Sequence, residues 1–259
     1  MKRGINLLPV ARKSKIKELV LEKKSVSVSE LAKMFSVTEE TIRRDLKYLE
    51  DEGVLIRTYG GAFIQDGVEN DINVDIRETI FVENKEKIAI KCAELIHHGD
   101  SIFLDASTTS LFISAKIRNK RVTVITNSLK VANTLADSES VRLITVGGLL
   151  SSKSMSFLGR SALNSLQGFF VDKAFISCRS VSIEHGVTDS NEQQAELRQL
   201  AIKRANKVFL VADHTKFNKT SFATIGSFDE IDYIVVDKKL DNAWHSFLTD
   251  QNVELIECE

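Results

Sequence analysis

Hydroxyls and amides recur at three successive places in the second half of the sequence. Asp105 closes the apolar run SIFLD, and Ser107, Thr108 and Thr109 follow where a helical pattern begins. A helix start carries N–H groups without internal partners and a dipole that favours negative charge, so this stretch could cradle a phosphate. The next apolar run ends in Thr126, Asn127 and Ser128, and the third in Gly147 and Gly148, where a bare backbone lets a ligand approach closely. Lys216, after the run 207–212 and near Asp213, offers a counter-charge. Taken singly, STT reads rather as a plain helix cap, and Lys216 equally as a surface lysine. Three polar or glycine-rich strand ends in a row point instead to an anion site.

A second cluster lies near the N-terminus. Ser27 caps a helix whose third position is Glu30, a reciprocal capping pattern, and the helix runs through Leu31, Ala32 and Phe35. After the Ser36-Val37 turn, Thr38 caps another helix, with Glu39 and Glu40 placed well against its dipole. Ile42, Leu46 and Leu49 share one stripe of that helix, which leaves Glu40, Arg44, Lys47 and Tyr48 pointing outward, flanked by Thr41 and Arg43. Such a face can enter a major groove, where Arg and Lys read guanine edges or hold phosphates. Val54 to Thr58 reads as a strand and Gly60-Gly61 as the tip of a wing, with Arg57 placed for the DNA backbone or minor groove. The expected DNA contacts are Thr38, Glu40, Thr41, Arg43, Arg44, Lys47, Tyr48 and Arg57. The bland alternative is a helical hairpin with a solvated charged face.

These clusters need elements to carry them. Strands are expected at 101–105, 122–126, 141–146, 173–177, 207–212 and 232–237, each short and apolar throughout as if covered on both faces. Helical patterns separate most of them, at KEKIAIKCAELI, TSLFISAKI, SLKVANTLA and NEQQAELRQLAIKRAN. This alternation predicts an α/β fold with a doubly wound, mostly parallel sheet, whose ligands bind at the carboxyl ends of the strands. The chain divides into a helix-turn-helix domain at 1–62, a polar linker at 63–84 with room for a short helix, and an α/β domain at 85–259.

Charge agrees with that division. Residues 1–61 hold 13 Lys and Arg against 9 Asp and Glu, a balance of +4, whereas the rest hold 22 against 27, a balance of −5. No run is long and apolar enough to span a bilayer and the N-terminus does not read as a signal peptide, so a cytoplasmic protein without membrane contact is expected. Cys92, Cys178 and Cys258 fit neither a metal motif nor a disulfide framework and read as reduced thiols. His97-His98 cannot share a helix face, so no metal site is expected there or elsewhere. Trp244 and the 14 phenylalanines read as packing, and Asp189 and Glu192 as solvated or capping residues.

With these residues in place, VSVSELAKMFSVTEETIRRDLKYLEDEGVLIRTYGGA closely resembles the N-terminal domain of the DeoR family of bacterial regulators. LDASTTS, ITNSLKVANTL, VGG, FLG, DKAF and LVADHTKF resemble, in order, landmarks of that family's sensor domain, so the likeness runs from about residue 14 to 240. It implies a winged helix-turn-helix joined to a domain resembling ribose-5-phosphate isomerase and CoA-transferase folds. It also implies a phosphorylated sugar or related metabolite as effector, lined by Asp105, Thr108, Thr109, Asn127, Ser128, Gly147, Gly148 and Lys216. Neither cofactor nor catalytic residue is expected.

Two departures from the family pattern lie near that pocket. Cys178-Arg179-Ser180-Val181 replaces a Gly-rich turn, and Gln194-Ala195 with Arg198 replaces Glu-Ala with Lys, so Arg198 reads either as a phosphate partner or as a helix-surface arginine. Sugar-phosphate isomerases of the fold carry acidic residues where this chain has ISCRSVS. Ser177, Cys178 and Ser180 are poor general bases at neutral pH, which favours sensing over turnover. The expectation is a repressor of a carbohydrate-utilisation operon, a homo-oligomer binding a double-stranded operator. The rivals are an isomerase or acyl-CoA transferase bearing a DNA-binding domain, and a protein-interaction module.

Overall fold

The computed structural model describes residues 7–23, 25–63 and 74–258, in two compact units, Met1–Phe81 and Val82–Glu259. The first unit contains α1 (Pro9–Lys23), β1 (Ser25–Ser27), α2 (Val28–Phe35), α3 (Glu39–Asp51), β2 (Ile56–Arg57), β3 (Gly61–Phe63) and α4 (Val74–Glu78). Caps set α2 and α3 where the sequence places them: Ser27 Oγ accepts from Glu30 N–H and Thr38 Oγ1 from Thr41 N–H. Between them Ser36 turns the chain through a left-handed conformation at φ 54°. Ile42, Leu46 and Leu49 are fully buried, packed with Ile16 and Val20 of α1, Leu31 and Phe35 of α2, and Val54, Leu55 and Ala62 beyond α3.

The sequence reading assigns no separate helix over 9–23, yet α1 supplies Ile16 and Val20 to this core. Arg12 Nε of α1 donates to Asp45 Oδ2 of α3 at 2.6 Å, a buried ion pair that fixes one helix against the other. The wing is a three-stranded antiparallel sheet in the order β1-β3-β2. Gly61 is required there, since a Cβ at that position would lie 2.0 Å from the carbonyl oxygen of Val26. Of the expected linker at 63–84, residues 64–73 lie outside those described. The part from Val74 to Phe81 groups with the first unit and includes α4, and the second unit begins at α5.

The second unit runs α5 (Val82–Leu95), β4 (Ser101–Leu104), α6 (Thr108–Ile117), β5 (Val122–Thr126), α7 (Leu129–Leu135), β6 (Val141–Thr145), β7 (Leu149–Ser151), β8 (Ser156–Leu158), α8 (Arg160–Gln167) and β9 (Val171–Ile176). It continues with β10 (Ser180–Ser182), β11 (Gly186–Asp189), α9 (Glu192–Lys203), β12 (Ala205–Val211), β13 (Ala223–Gly226), β14 (Tyr233–Val236), α10 (Asn242–Asp250) and β15 (Glu254–Glu257). Seven strands form one all-parallel sheet in the order β15-β14-β12-β9-β4-β5-β6. Helices cover both faces. On one face α5, α6 and α7 pack on Ile102, Leu104, Val124, Phe175 and Phe209, and on the other α8, α9 and α10 pack on Phe103, Ala174, Ile176, Leu210 and Ile234.

All six expected strands are present. The seventh, β15, is a polar-flanked edge strand that an apolar-run criterion passes over, and so are the short antiparallel groups β7-β8 and β10-β11-β13. The chain enters the sheet at its centre, winds out through β5 to β6, then returns to β9 on the other side of β4. The strand order therefore reverses between β4 and β9, the place where open α/β sheets bind ligands.

Candidate functional site

On α3 the outward face is as expected. Glu40, Arg43, Arg44, Lys47 and Tyr48 are exposed and Thr41 is partly so. Arg43 Nη2 donates to Glu39 at 2.7 Å, a surface pair worth little that competes weakly with a phosphate. Arg44 and Lys47 make no ion pair among the described residues, which leaves both cations available. Tyr48 is more tied down than the helix pattern suggests: Lys13 Nζ stands 3.4 Å from its ring centroid, and a hydrogen bond with Glu52 holds its phenol above the usual range. Arg57 sits on β2, where its N–H and Nε both donate to Glu50, at 2.9 and 2.6 Å, holding that carboxyl below its usual range.

Sequence reasoning missed Tyr59. It occupies the tip of the β2-β3 hairpin, closed by Thr58 N–H donating to Gly61 O at 2.9 Å, and is fully exposed at 104%. The signal was present as an aromatic residue set beside the glycines of the turn.

At the sheet's carboxyl edge, Asp105 lies at the strand-order reversal and gathers partners from both sides. Its Oδ1 accepts from Ser107 N–H at 3.0 Å and Ser110 Oγ at 2.6 Å; its Oδ2 accepts from Ser177 N–H, just beyond β9, at 2.9 Å. Arg198 Nε of α9 donates to the same Oδ2 at 2.7 Å, and Arg198 Nη1 also donates to Asp189 at the end of β11. Burial alone would push the Asp105 carboxyl up, but Arg198 and the bonds from Ser107, Ser110 and Ser177 hold it below the usual carboxylate range. Arg198 is thus buried at 4% exposure between two carboxylates, contrary to the helix-surface reading, and Asp189 is its partner, contrary to the solvated reading.

Around this knot stand the other expected residues. Ser107 Oγ accepts from Ser110 N–H at 3.0 Å and caps α6. Thr108 and Thr109 are nearly buried, and neither hydroxyl bonds to another described residue. Their N–H groups occupy the first turn of α6, where no preceding carbonyl can accept them. Ser128 caps α7, accepting from Val131 N–H at 3.2 Å, and Asn127 Nδ2 donates to Phe157 O of β8 at 3.3 Å. Gly147 is exposed, while Gly148 has a requirement unrelated to any ligand: at φ 145°, a Cβ there would come within 2.6 Å of Leu158 O. Lys216 lies in the turn His214–Lys216 after β12, where its N–H donates to Asp213 O at 3.0 Å. It is close enough to Cys178 to oppose the burial that pushes that thiol up to about 12.

A groove of about 560 Å³ lies elsewhere in this unit, lined by residues such as His185, Lys203, Phe228 and Phe247, and none of the expected ligand residues borders it. Among the described residues no group of acids, cysteines and histidines is arranged to hold a metal, and no helix is long and apolar enough to cross a membrane.

Residues 12–67 match the DeoR-like helix-turn-helix domain and residues 80–238 the DeoR C terminal sensor domain. The chain belongs to the DeoR family of helix-turn-helix transcriptional regulators. The uncharacterized regulator YulB of Bacillus subtilis is 40% identical over 96% of both chains. The putative aga operon transcriptional repressor of Escherichia coli O157:H7 is 35% identical over 88% of this chain and 86% of that one. The glycerol-3-phosphate regulon repressor of Escherichia coli K12 is 31% identical, with 95% and 98% covered. A ribose 5-phosphate isomerase from Methanocaldococcus jannaschii overlaps 51% of this DeoR-family chain and 53% of its own at a TM-score of 0.39 and 18% identity. So partial an overlap says nothing about what the chain binds.

Proposed function

We propose that this DeoR-family regulator represses a carbohydrate-utilisation operon and that a phosphorylated sugar or related metabolite controls its affinity for a double-stranded operator. One observation carries the reading: the N–H groups and hydroxyls of Thr108 and Thr109 stand unused beside Asp105, at the point where the strand order of the sheet reverses. Two relatives named for an aga operon and a glycerol-3-phosphate regulon support an effector of that class.

Asp105 does not itself bind the phosphate in this reading, since a carboxylate would repel it. It orders the Ser107 turn, and Arg198 in turn orders Asp105. Lys216 supplies the cation. Catalysis has no support from the groups present: the carboxylates of Asp105 and Asp189 are committed to Arg198, and the Cys178 thiol stays protonated.

Arg44 and Lys47 on α3 contact the DNA, with Arg43, Thr38, Thr41, Glu40, Tyr48 and Arg57 around them. The regulator works as a homo-oligomer in the cytoplasm, in which the effector favours one arrangement of subunits over another, and only one spaces the heads for the operator half-sites. Fluorescence anisotropy on operator DNA selected from a random pool, repeated with a panel of sugar phosphates, tests both halves. The expected outcome is tight, salt-dependent binding that at least one panel member shifts. Binding unmoved by every member would refute the sensing half.

A further inference from the structure

β12 and β14 end side by side: Val211 pairs with Val235, and Ala212 N–H donates to Val235 O at 3.1 Å. Asp237, just beyond β14, thereby meets the turn His214–Lys216 that follows β12. Its buried carboxylate accepts three hydrogen bonds. Oδ1 takes His214 N–H at 2.6 Å, while Oδ2 takes His214 Nδ1 at 2.9 Å and also Asn84 Nδ2. Lys238 Nζ, which can only donate, stands 3.0 Å from His214 Nε2, so Nε2 accepts and the ring proton lies on Nδ1, towards Asp237. Burial alone would push the Asp237 carboxyl up, yet the bonds from His214 and Asn84 keep it below the usual carboxylate range.

The two partners of Asp237 lead to different places. His214 opens the turn whose last residue is Lys216. Asn84 lies in the first turn of α5, and the chain passes from the first unit to the second between Phe81 and Val82. On the first unit's side of that junction the chain is tied to α1: Ser14 Oγ donates to Thr79 O at 2.7 Å, and Phe81 N–H donates to Glu18 Oε1 at 2.9 Å. α1 is the helix that Arg12 fixes against α3. Phe81 itself has φ 51°, a left-handed conformation that a bulky side chain rarely adopts and that persists only where its surroundings impose it. The bond to Glu18 on one side and the bond from Asn84 to Asp237 on the other impose it here.

We infer that Asp237 is a positioning residue that relays the state of the Lys216 turn to the junction between the two units. The inference rests on the reading that Lys216 meets a phosphate. A phosphate that draws Lys216 moves the turn that His214 opens, Asp237 follows His214, and the grip on Asn84 changes beside a backbone already under strain. Coupling between distant sites needs an element with two arrangements that both ends bias, and Phe81, left-handed or relaxed, supplies it.

The test compares the full-length wild type with Asn84→Ala and Asp237→Asn, by hydrogen exchange and by anisotropy on operator DNA selected from a random pool. Glycerol 3-phosphate, glucose 6-phosphate and ribose 5-phosphate are the probes. Without any probe, N84A is expected to speed amide exchange about 10-fold or more at 213–217 as well as at 79–84. A side chain that merely steadies the start of α5 would speed only the second segment, and that result would overturn the inference. With a probe that shifts the operator affinity of the wild type, both variants are expected to cut the shift to less than about 2-fold. Isothermal titration should show them binding the probe itself within about 3-fold of the wild type. A shift that survives both substitutions in full would overturn the relay and leave the sensing reading standing. If no probe binds the wild type, both readings fall. Should D237N not fold, as judged by circular dichroism, N84A decides alone, since Asn84 is only partly buried.

Discussion

Arg198 sits in a buried site with a carboxylate on each side, a geometry that is costly to break from either end. Replacing it with Ala leaves Asp105 and Asp189 facing each other's charge without a counter-ion, and the expected loss is about 3–5 kcal/mol, read from urea unfolding of the full chain. Acid should produce a related effect. The carboxyl of Asp105 titrates below its usual range when folded, so its contribution is fully present above the unfolded value of about 3.9 and is lost as pH falls through the folded one. Stability measured from pH 6 down to pH 2 should therefore drop below about pH 4, and Asp105→Asn should flatten part of that drop. Arg44 and Lys47 belong to a different regime. They are exposed and unpaired, so R44A/K47A should leave the melting temperature nearly unchanged while weakening DNA binding. The slope of log K against log salt should also become shallower by about 0.9 for each phosphate contact removed, whereas a head that docked on protein would show no such change.

Elements were legible where one local rule set them. The caps at Ser27 and Thr38, the buried stripe of Ile42, Leu46 and Leu49, and six of the seven strands of the parallel sheet all follow from short-range patterns. Three helices did not: α1 carries a weak apolar stripe and is tied by Arg12 to the distant Asp45, while α8 and α10, at 8 and 9 residues, are too short for their stripes to stand out in the sequence. Distance also hid the contact of Arg198 with Asp105, and no local pattern tells a buried arginine from a surface one, so its nearer partner Asp189 was hidden too. Gly61 provides a test at this scale. Gly61→Ala drives a methyl group into the carbonyl of Val26, so β3 must separate from β1. The head should lose about 1–3 kcal/mol and DNA affinity should fall without any basic side chain having been changed. At α6, Ser107→Ala removes a cap that also anchors Ser110, at a cost of about 1 kcal/mol.

For the molecule as a whole, the order in which the sheet is assembled differs from the order in which it is made. β4 is an inner strand of the finished sheet, yet it is the first of the seven to leave the ribosome, and its neighbour β9 follows only after β5 and β6. Asp105 meets Arg198 across 93 residues of chain. At about 5–20 residues per second of synthesis, that carboxylate waits roughly 5–20 s for its guanidinium. For the part of that interval before β9 emerges, one edge of β4 is uncovered, able to pair with a neighbouring nascent chain. A nascent second unit is therefore most vulnerable to aggregation before β9 emerges, and slower translation between β4 and β9 should lower soluble yield more than the same slowing placed after β12.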